Sequence, residues 1–146
     1  MAASRSDVFP FFSEARNLER LTPDWLHFEV LTPAPVEMDA GTLIDYRLRL
    51  HGLPLRWRSE ITAWEPPRRF VDRQAKGPYR LWEHEHRFEE LGTGCRVVDR
   101  VRYAVPGGAG LERLVHRWIV GPDVERIFAY RRRHIREQFG AAGDDE

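Results

Sequence analysis

Residues 81–91 read Leu81-Trp82-Glu83-His84-Glu85-His86-Arg87-Phe88-Glu89-Glu90-Leu91. From Trp82 to Glu89 the even positions carry Trp, His, His and Phe, and the odd positions carry Glu, Glu, Arg and Glu. Alternation of this kind marks a half-buried strand, because successive side chains point to opposite faces. The inward set is not purely apolar: two imidazoles lie between two aromatic rings. Buried polar groups require a partner, a water or a ligand. One strand therefore indicates both how the chain folds and where its chemistry lies.

Working outward, the same period of two recurs at about 27–32, 42–51, 55–64, 69–76 and 95–105. The segments are joined by His51-Gly52-Leu53-Pro54, Pro66-Pro67, Lys76-Gly77-Pro78 and Gly92-Thr93-Gly94, which carry turn chemistry. Connections this short favour an antiparallel meander. Folding through these turns pairs Tyr46 with Ser59, Ile61 with Asp72, Ser59 with Gln74, Asp72 with His86, Gln74 with His84, His86 with Val101, His84 with Tyr103 and Phe88 with Asp99. The inward face then holds Trp57, Phe70, Trp82, Phe88, Val97 and Val101, and Ala63 at the end of its strand. Among them lie the polar Ser59, Asp72, Gln74, His84, His86, Asp99 and Tyr103. So many polar groups on one concave face predict a cavity with polar anchors; mutually satisfied structural pairs are the plainer alternative.

The opposite face explains an oddity of composition. The chain has 146 residues and a formal net charge of zero, from 23 Lys+Arg against 23 Asp+Glu, and Lys76 is its single lysine. Many of the arginines fall on the outward positions of the sheet, interleaved with glutamates. The same pairings leave Arg47 opposite Arg58 and Arg87 opposite Arg100 as like-charge exceptions. A solvated sheet face is the simplest account; a surface for an anionic partner protein is the sharper one.

Helical periods flank the strands. Val8–Phe12, capped by Ser6 or Asp7, and Asn17–Leu21 give two short helices. After Pro106-Gly107-Gly108, the stripe Leu111, Leu114, Val115, Trp118 and Ile119 predicts a helix that Gly121-Pro122 interrupts. Asp123 is expected to cap the last helix, whose apolar face is Val124, Ile127, Phe128, Ile135 and Phe139. The fold class is α+β: two small helices, a curved antiparallel sheet and a long C-terminal helix. One domain is expected over 1–139, with 140–146 a frayed acidic tail.

Several segments resemble one bacterial branch of the START-like, or SRPBCC, superfamily of polyketide cyclase/dehydrase and lipid-transport-like proteins. They are Asn17-Leu18-Glu19-Arg20-Leu21-Thr22-Pro23, Gly41 through Arg47, Gly77-Pro78-Tyr79 with Trp82-x-His84-x-His86-x-Phe88, and Ile127-Phe128-Ala129-Tyr130-Arg131. The resemblance covers roughly residues 6–139. It implies a helix-grip fold, in which a curved sheet grips the C-terminal helix around a hydrophobic cavity, and a lipid, quinone or polyketide-like ligand. It carries no catalytic set. Family members usually begin with a strand before the first helix, and here that strand is expected to be missing. Its absence would expose the edge of the last strand, a place for a homodimer.

The ligand-binding candidates are Tyr46, Trp57, Ser59, Asp72, Gln74, Tyr79, Trp82, His84, His86, Asp99 and Tyr103. Residues around Trp25, Tyr79 and Trp118 are expected at the cavity entrance. His84 and His86 with Asp72 or Asp99 are the acid–base candidates for a cyclase or dehydratase. His84-x-His86 with Glu90 has cupin-like metal-ligand spacing, but no second motif supports it, and no metal or other cofactor is expected. Cys95 rules out an internal disulfide framework and reads as an incidental thiol. Gly107–Gly110 lacks the ending of a phosphate-binding loop. Zero net charge speaks against nucleic acid, and the Arg131–Arg136 run spreads over several helix faces. No apolar run is long enough for a membrane span or a signal peptide, so a cytoplasmic location is expected.

Overall fold

The computed structural model describes residues 1–141; residues 142–146 of the expected acidic tail, and the side chain of Trp118, lie outside the described residues. Six strands follow in order: β1 (Glu29–Val30), β2 (Leu43–Leu50), β3 (Leu53–Glu65), β4 (Arg69–Lys76), β5 (Leu81–Leu91) and β6 (Gly94–Ala104). They form one antiparallel sheet in sequence order, the meander that short connections require. Helices α1 (Arg5–Ser13) and α2 (Asn17–Arg20) precede it; α3 (Ala109–Val115) and α4 (Gly121–Phe139) follow. The curved sheet closes around α4 in a helix-grip, α+β arrangement. Among the described residues no helix is long and apolar enough to cross a membrane.

Three of the four hairpins pair two residues away from the expected register. His51 (φ 49°) and Gly52 (φ 79°) make a two-residue turn, so Leu50 faces Leu53 and Tyr46 faces Trp57 rather than Ser59. Two successive left-handed residues match the twist of the adjoining strands, and the expected four-residue turn is not needed. The tight turn Gly92-Thr93 likewise sets His86 opposite Asp99, His84 opposite Val101 and Phe88 opposite Val97. Between β4 and β5, Asp72 faces His84 and Phe70 faces His86. Only β3 and β4 pair as expected, Ile61 with Asp72 and Ser59 with Gln74. A slip of two residues leaves each side chain on its own face, so faces were readable where partners were not. A register shift between Ile61 and Ala63 then brings Trp64, not Ala63, onto the core.

The observed register also relieves the outer face. Asp45 lies opposite Arg58 and accepts two hydrogen bonds from it, at 2.8 and 3.1 Å. Glu83 opposes Arg102, and Glu85 opposes Arg100. The like-charge neighbours are Arg47 with Arg56, Arg69 with Arg87, and Arg58 with Lys76, not the two expected pairs. Glu85 offsets the second, 3.5 Å from Arg69 and 2.9 Å from Arg87.

Helix α1 plugs one end of the sheet. Ser4, upstream of the expected cap, accepts from the Asp7 N–H at 3.2 Å. Buried Phe9 stacks edge-on against Phe88 and Phe70, with centroids 5.0 and 6.0 Å away. Phe11 meets Phe139 at 5.1 Å and so ties α1 to the end of α4. Glu19 of α2 accepts the Val30 N–H at 2.7 Å, fixing the short strand β1.

Gly121-Pro122 does not stop the C-terminal helix. Residues 116–120 form a single π turn between α3 and α4. Pro122 has no N–H to offer the carbonyl four residues back, and the Gly121 N–H bonds instead to His116 O. A Cβ on Gly121 would lie 2.8 Å from that oxygen, so glycine permits the closure. Leu111 and Leu114 of the expected apolar stripe are 54% and 57% exposed. At the sheet edge, the Met1 backbone exchanges hydrogen bonds with Cys95 of β6 at 2.9 and 3.1 Å, and no strand precedes α1 among the described residues. The outward side of β6 carries Arg96, Arg100 and Arg102. Antiparallel self-pairing along that edge would oppose arginine to arginine, which works against a homodimer built there.

Phe9→Ala should lower stability in urea unfolding by about 3–5 kcal/mol, and a loss below about 1 kcal/mol would show that the plug is not part of the core.

Candidate functional site

The inner face of β4, β5 and β6 places four ionisable groups side by side. Asp72 lies directly across from His84, and Asp99 from His86. The hydrogen bonds run diagonally instead. His84 Nε2 donates to Asp99 Oδ1 at 2.9 Å, and His86 Nε2 donates to Asp72 Oδ2 at 3.0 Å. An ionised carboxylate can only accept, which fixes the proton on each of these nitrogens. His86 Nδ1 is also 3.0 Å from Asp99 Oδ1, but too oblique for a hydrogen bond. The two imidazoles lie 3.8 Å apart, and Phe70 stacks on His86 at 4.2 Å. Ser59 Oγ approaches Asp72 at 3.5 Å and accepts from Trp57 Nε1 at 3.2 Å.

The environments drive the two histidines apart. Burial, together with neighbouring His86, lowers the His84 pKa to about 4, against the pull of Asp99 and Asp72. Burial opposes charge on His86 as well, but Asp72 and Asp99 together outweigh it and raise its pKa. Burial would raise both carboxylates; their contacts with the histidines and with Arg131 overcome it and lower both. At neutral pH the cluster holds Asp72 and Asp99 ionised and His84 neutral, with a lone pair on Nδ1, and the two carboxylates favour the protonated form of His86. Burial also pushes Tyr46 well up and Tyr79 up to about 12, so both keep their hydroxyl protons.

Arg131 completes the group, and sequence reasoning missed it. It is only 6% exposed and reaches the cluster from α4, with Nη1 4.0 Å from Asp99 Oδ1 and its guanidinium 5.4 Å from the Phe128 ring. The signal was present: Arg131 falls four residues after Ile127 and four before Ile135, in the middle of the apolar stripe.

Above this polar floor lies a cavity of about 180 Å³ between the sheet, α1, α2 and α4. Its walls are mainly apolar, with Leu21, Phe28, Ile44, Leu55 and Ile127 among them. Of the expected ligand-binding residues, Tyr46, Trp57, Ser59, Asp72, Tyr79, Trp82, His84 and His86 line it. Three do not. Gln74 clamps the β4–β5 turn: its amide donates to Tyr79 O at 2.7 Å and accepts the Tyr79 N–H at 3.1 Å. Asp99 stands behind the histidines, and Tyr103 bonds to His116 on the π turn. Trp25, expected at the entrance, lies under the Arg126 guanidinium at 4.6 Å. Asp123, expected as a helix cap, is buried and bonded to His51 Nε2 at 2.7 Å, joining the β2–β3 hairpin tip to α4.

The donors of a metal site are present, though not in the spacing first considered. Asp72, His84 and His86 offer ligand atoms within 4.8 Å of one another. An ion there would have to replace the His86 proton beside the Arg131 cation. Glu90 points elsewhere and pairs with Arg5 at 3.1 Å. Cys95 is buried, which raises its thiol pKa.

The shifts fix the sign of the pH dependence. The His86 contribution is complete below about pH 6.5 and is lost as pH rises through its higher folded value, whereas His84 costs stability as pH falls from about 6.5 towards its folded value. In an ¹⁵N NMR titration His84 should stay neutral down to about pH 4, and His86 should keep its proton above the ordinary histidine range. Two unshifted titrations would contradict the charge assignment.

Comparison with known proteins agrees with this fold. Protein Ms6760 from Mycobacterium smegmatis is similar over 92% of this chain and 83% of its own, with 20% identity and a TM-score of 0.66. TTHA0849 from Thermus thermophilus is similar over 89% of this chain and 88% of its own, with 20% identity and a TM-score of 0.67. Major latex-like protein 151 from Panax ginseng is similar over 84% of this chain and 89% of its own, with 16% identity and a TM-score of 0.53. At these identities the likeness is one of fold. No curated protein matches the chain. The sequence model of the family described as polyketide cyclase / dehydrase and lipid transport matches residues 1–128, and the chain belongs to that family.

Proposed function

We propose that the protein binds a small, mostly apolar molecule (a lipid, quinone or polyketide-like compound) in the cavity between the sheet and α4. The observation that carries this reading is the cavity itself: an apolar space of about 180 Å³ whose floor is a buried, charge-compensated cluster. Apolar walls supply burial at about 25 cal/mol per Å², and the polar floor supplies orientation. The volume is below the roughly 300–1,000 Å³ of a drug-sized pocket, so a compact ligand fits better than a two-chain lipid. Trp57, Trp82 and Tyr79 form an aromatic flank, with ring centroids 5.0–5.6 Å apart, against which a flat ligand can pack.

Native mass spectrometry after gentle purification, followed by organic extraction, tests this directly. A bound organic molecule is expected, or a thermal upshift with a lipid and quinone panel. At a hundredfold excess over Kd the gain is about 2.7 kcal/mol, or several degrees for a domain of this size. Leu55→Trp, which fills the cavity from β3, should abolish the ligand-induced upshift while the protein remains folded. An upshift of undiminished size in that variant would place the ligand elsewhere.

One observation favours a second reading. His84 is a neutral base with a free Nδ1 lone pair, and Asp72 and Asp99 shift the adjacent His86 towards its protonated, acidic form. Two neighbouring groups with pKa values pushed in opposite directions make an acid–base pair. The same cavity would then support an aldol-type cyclisation or a dehydration. On this reading His84→Gln loses turnover of a polyketone substrate by at least about a hundredfold and retains the ligand-induced thermal upshift. Unchanged turnover would remove His84 from the chemistry.

A further inference from the structure

Arg131 leaves two buried donors unmet in the polar floor, where His86 leaves one nitrogen. Its Nε and Nη1 are buried and make no hydrogen bond. Its nearest carboxylate oxygen, Asp99 Oδ1 at 4.0 Å, already accepts from His84 and lies 3.0 Å from His86 Nδ1. Asp72 is held by His86 and Ser59. A buried guanidinium left this way carries a substantial desolvation cost unless something else accepts its N–H groups. Arg131 lines the cavity, so an acceptor can arrive only as part of the cavity's contents or from Asp99 by movement.

We infer that the ligand carries one carboxylate on its apolar body and that Arg131 receives this group. This rests on the reading of the cavity as a ligand site. A carboxylate suits Arg131 because guanidinium–carboxylate hydrogen bonds are charge-assisted and geometrically matched. Tyr46 of β2 and Ser59 of β3 add hydroxyls to the same space.

A matched pair of probes, octanoate and octanol, separates this inference from the reading beneath it. Isothermal titration calorimetry at pH 7 should show octanoate binding the wild type more tightly than octanol. In Arg131→Met the octanoate-to-octanol affinity ratio should fall at least tenfold. Octanol binding without octanoate binding, or an unchanged ratio in Arg131→Met, overturns the inference and leaves the cavity reading standing. Binding of neither probe overturns both. If Arg131→Met does not fold, the wild-type preference for octanoate over octanol still decides.

Discussion

Burying charge away from water is the constraint on which this structure depends. Two carboxylates, two imidazoles and a guanidinium share one end of an apolar cavity, where an unpaired ion costs several kcal/mol. The diagonal bonds His84–Asp99 and His86–Asp72 meet that cost across three strands at once. They fix the relative register of β4, β5 and β6 on the inner face, as the arginine–glutamate ladder does on the outer one. The aromatic rings around the cluster, Phe70 against His86 and Phe128 against His84, exclude water and keep its electrostatics strong. The cavity is then bounded by a rigid polar floor and a softer apolar wall supplied by short helices and loops.

What the sequence made legible was whatever repeats with the period of its secondary structure. The alternation through Trp82, His84, His86 and Phe88 put both imidazoles on the inner face, and the arginine-rich alternation put charge on the outer one. Asp72 and Ser59 could be placed beside them because the Pro66-Pro67 turn set the β3–β4 register. The resemblance to the START-like superfamily added the helix-grip closure and the cavity, and the structure has both. Partner choice was not legible, because hairpin loops of two and four residues present the same faces and differ only in which residues meet.

The rest depended on single residues read out of context. Gln74 looked like a cavity anchor because it lies on the inward face, but its amide meets the backbone of Tyr79, and Gly77 leaves room for that clamp: a Cβ there would sit 2.5 Å from Gln74 Oε1. Asp123 looked like a cap because it follows Gly-Pro, yet it answers His51 from a distant hairpin. Arg131 was read with its exposed neighbours Arg132 and Arg133 as a basic run, though helical spacing alone turns the first inward and the others out. Long-range polar contacts of this kind have no local signature, since their partners are brought together only by the fold.

The π turn at residues 116–120 has a geometrical consequence. An α-helix advances about 100° per residue, and a π turn places one residue more in the turn than an α-helix would. The extra residue is absorbed within the turn, so the segments on either side keep the relative phase of a helix one residue shorter. In that phase Ile127, Phe128, Arg131 and Ile135 hold their stripe on the sheet, while Leu111 and Leu114 stay exposed. Removal of one residue from 116–120 would turn the π turn into an ordinary α turn and leave all of these side chains facing as they do. A single deletion there is thus a small genetic step that the C-terminal helix can take without moving Arg131 off the polar floor.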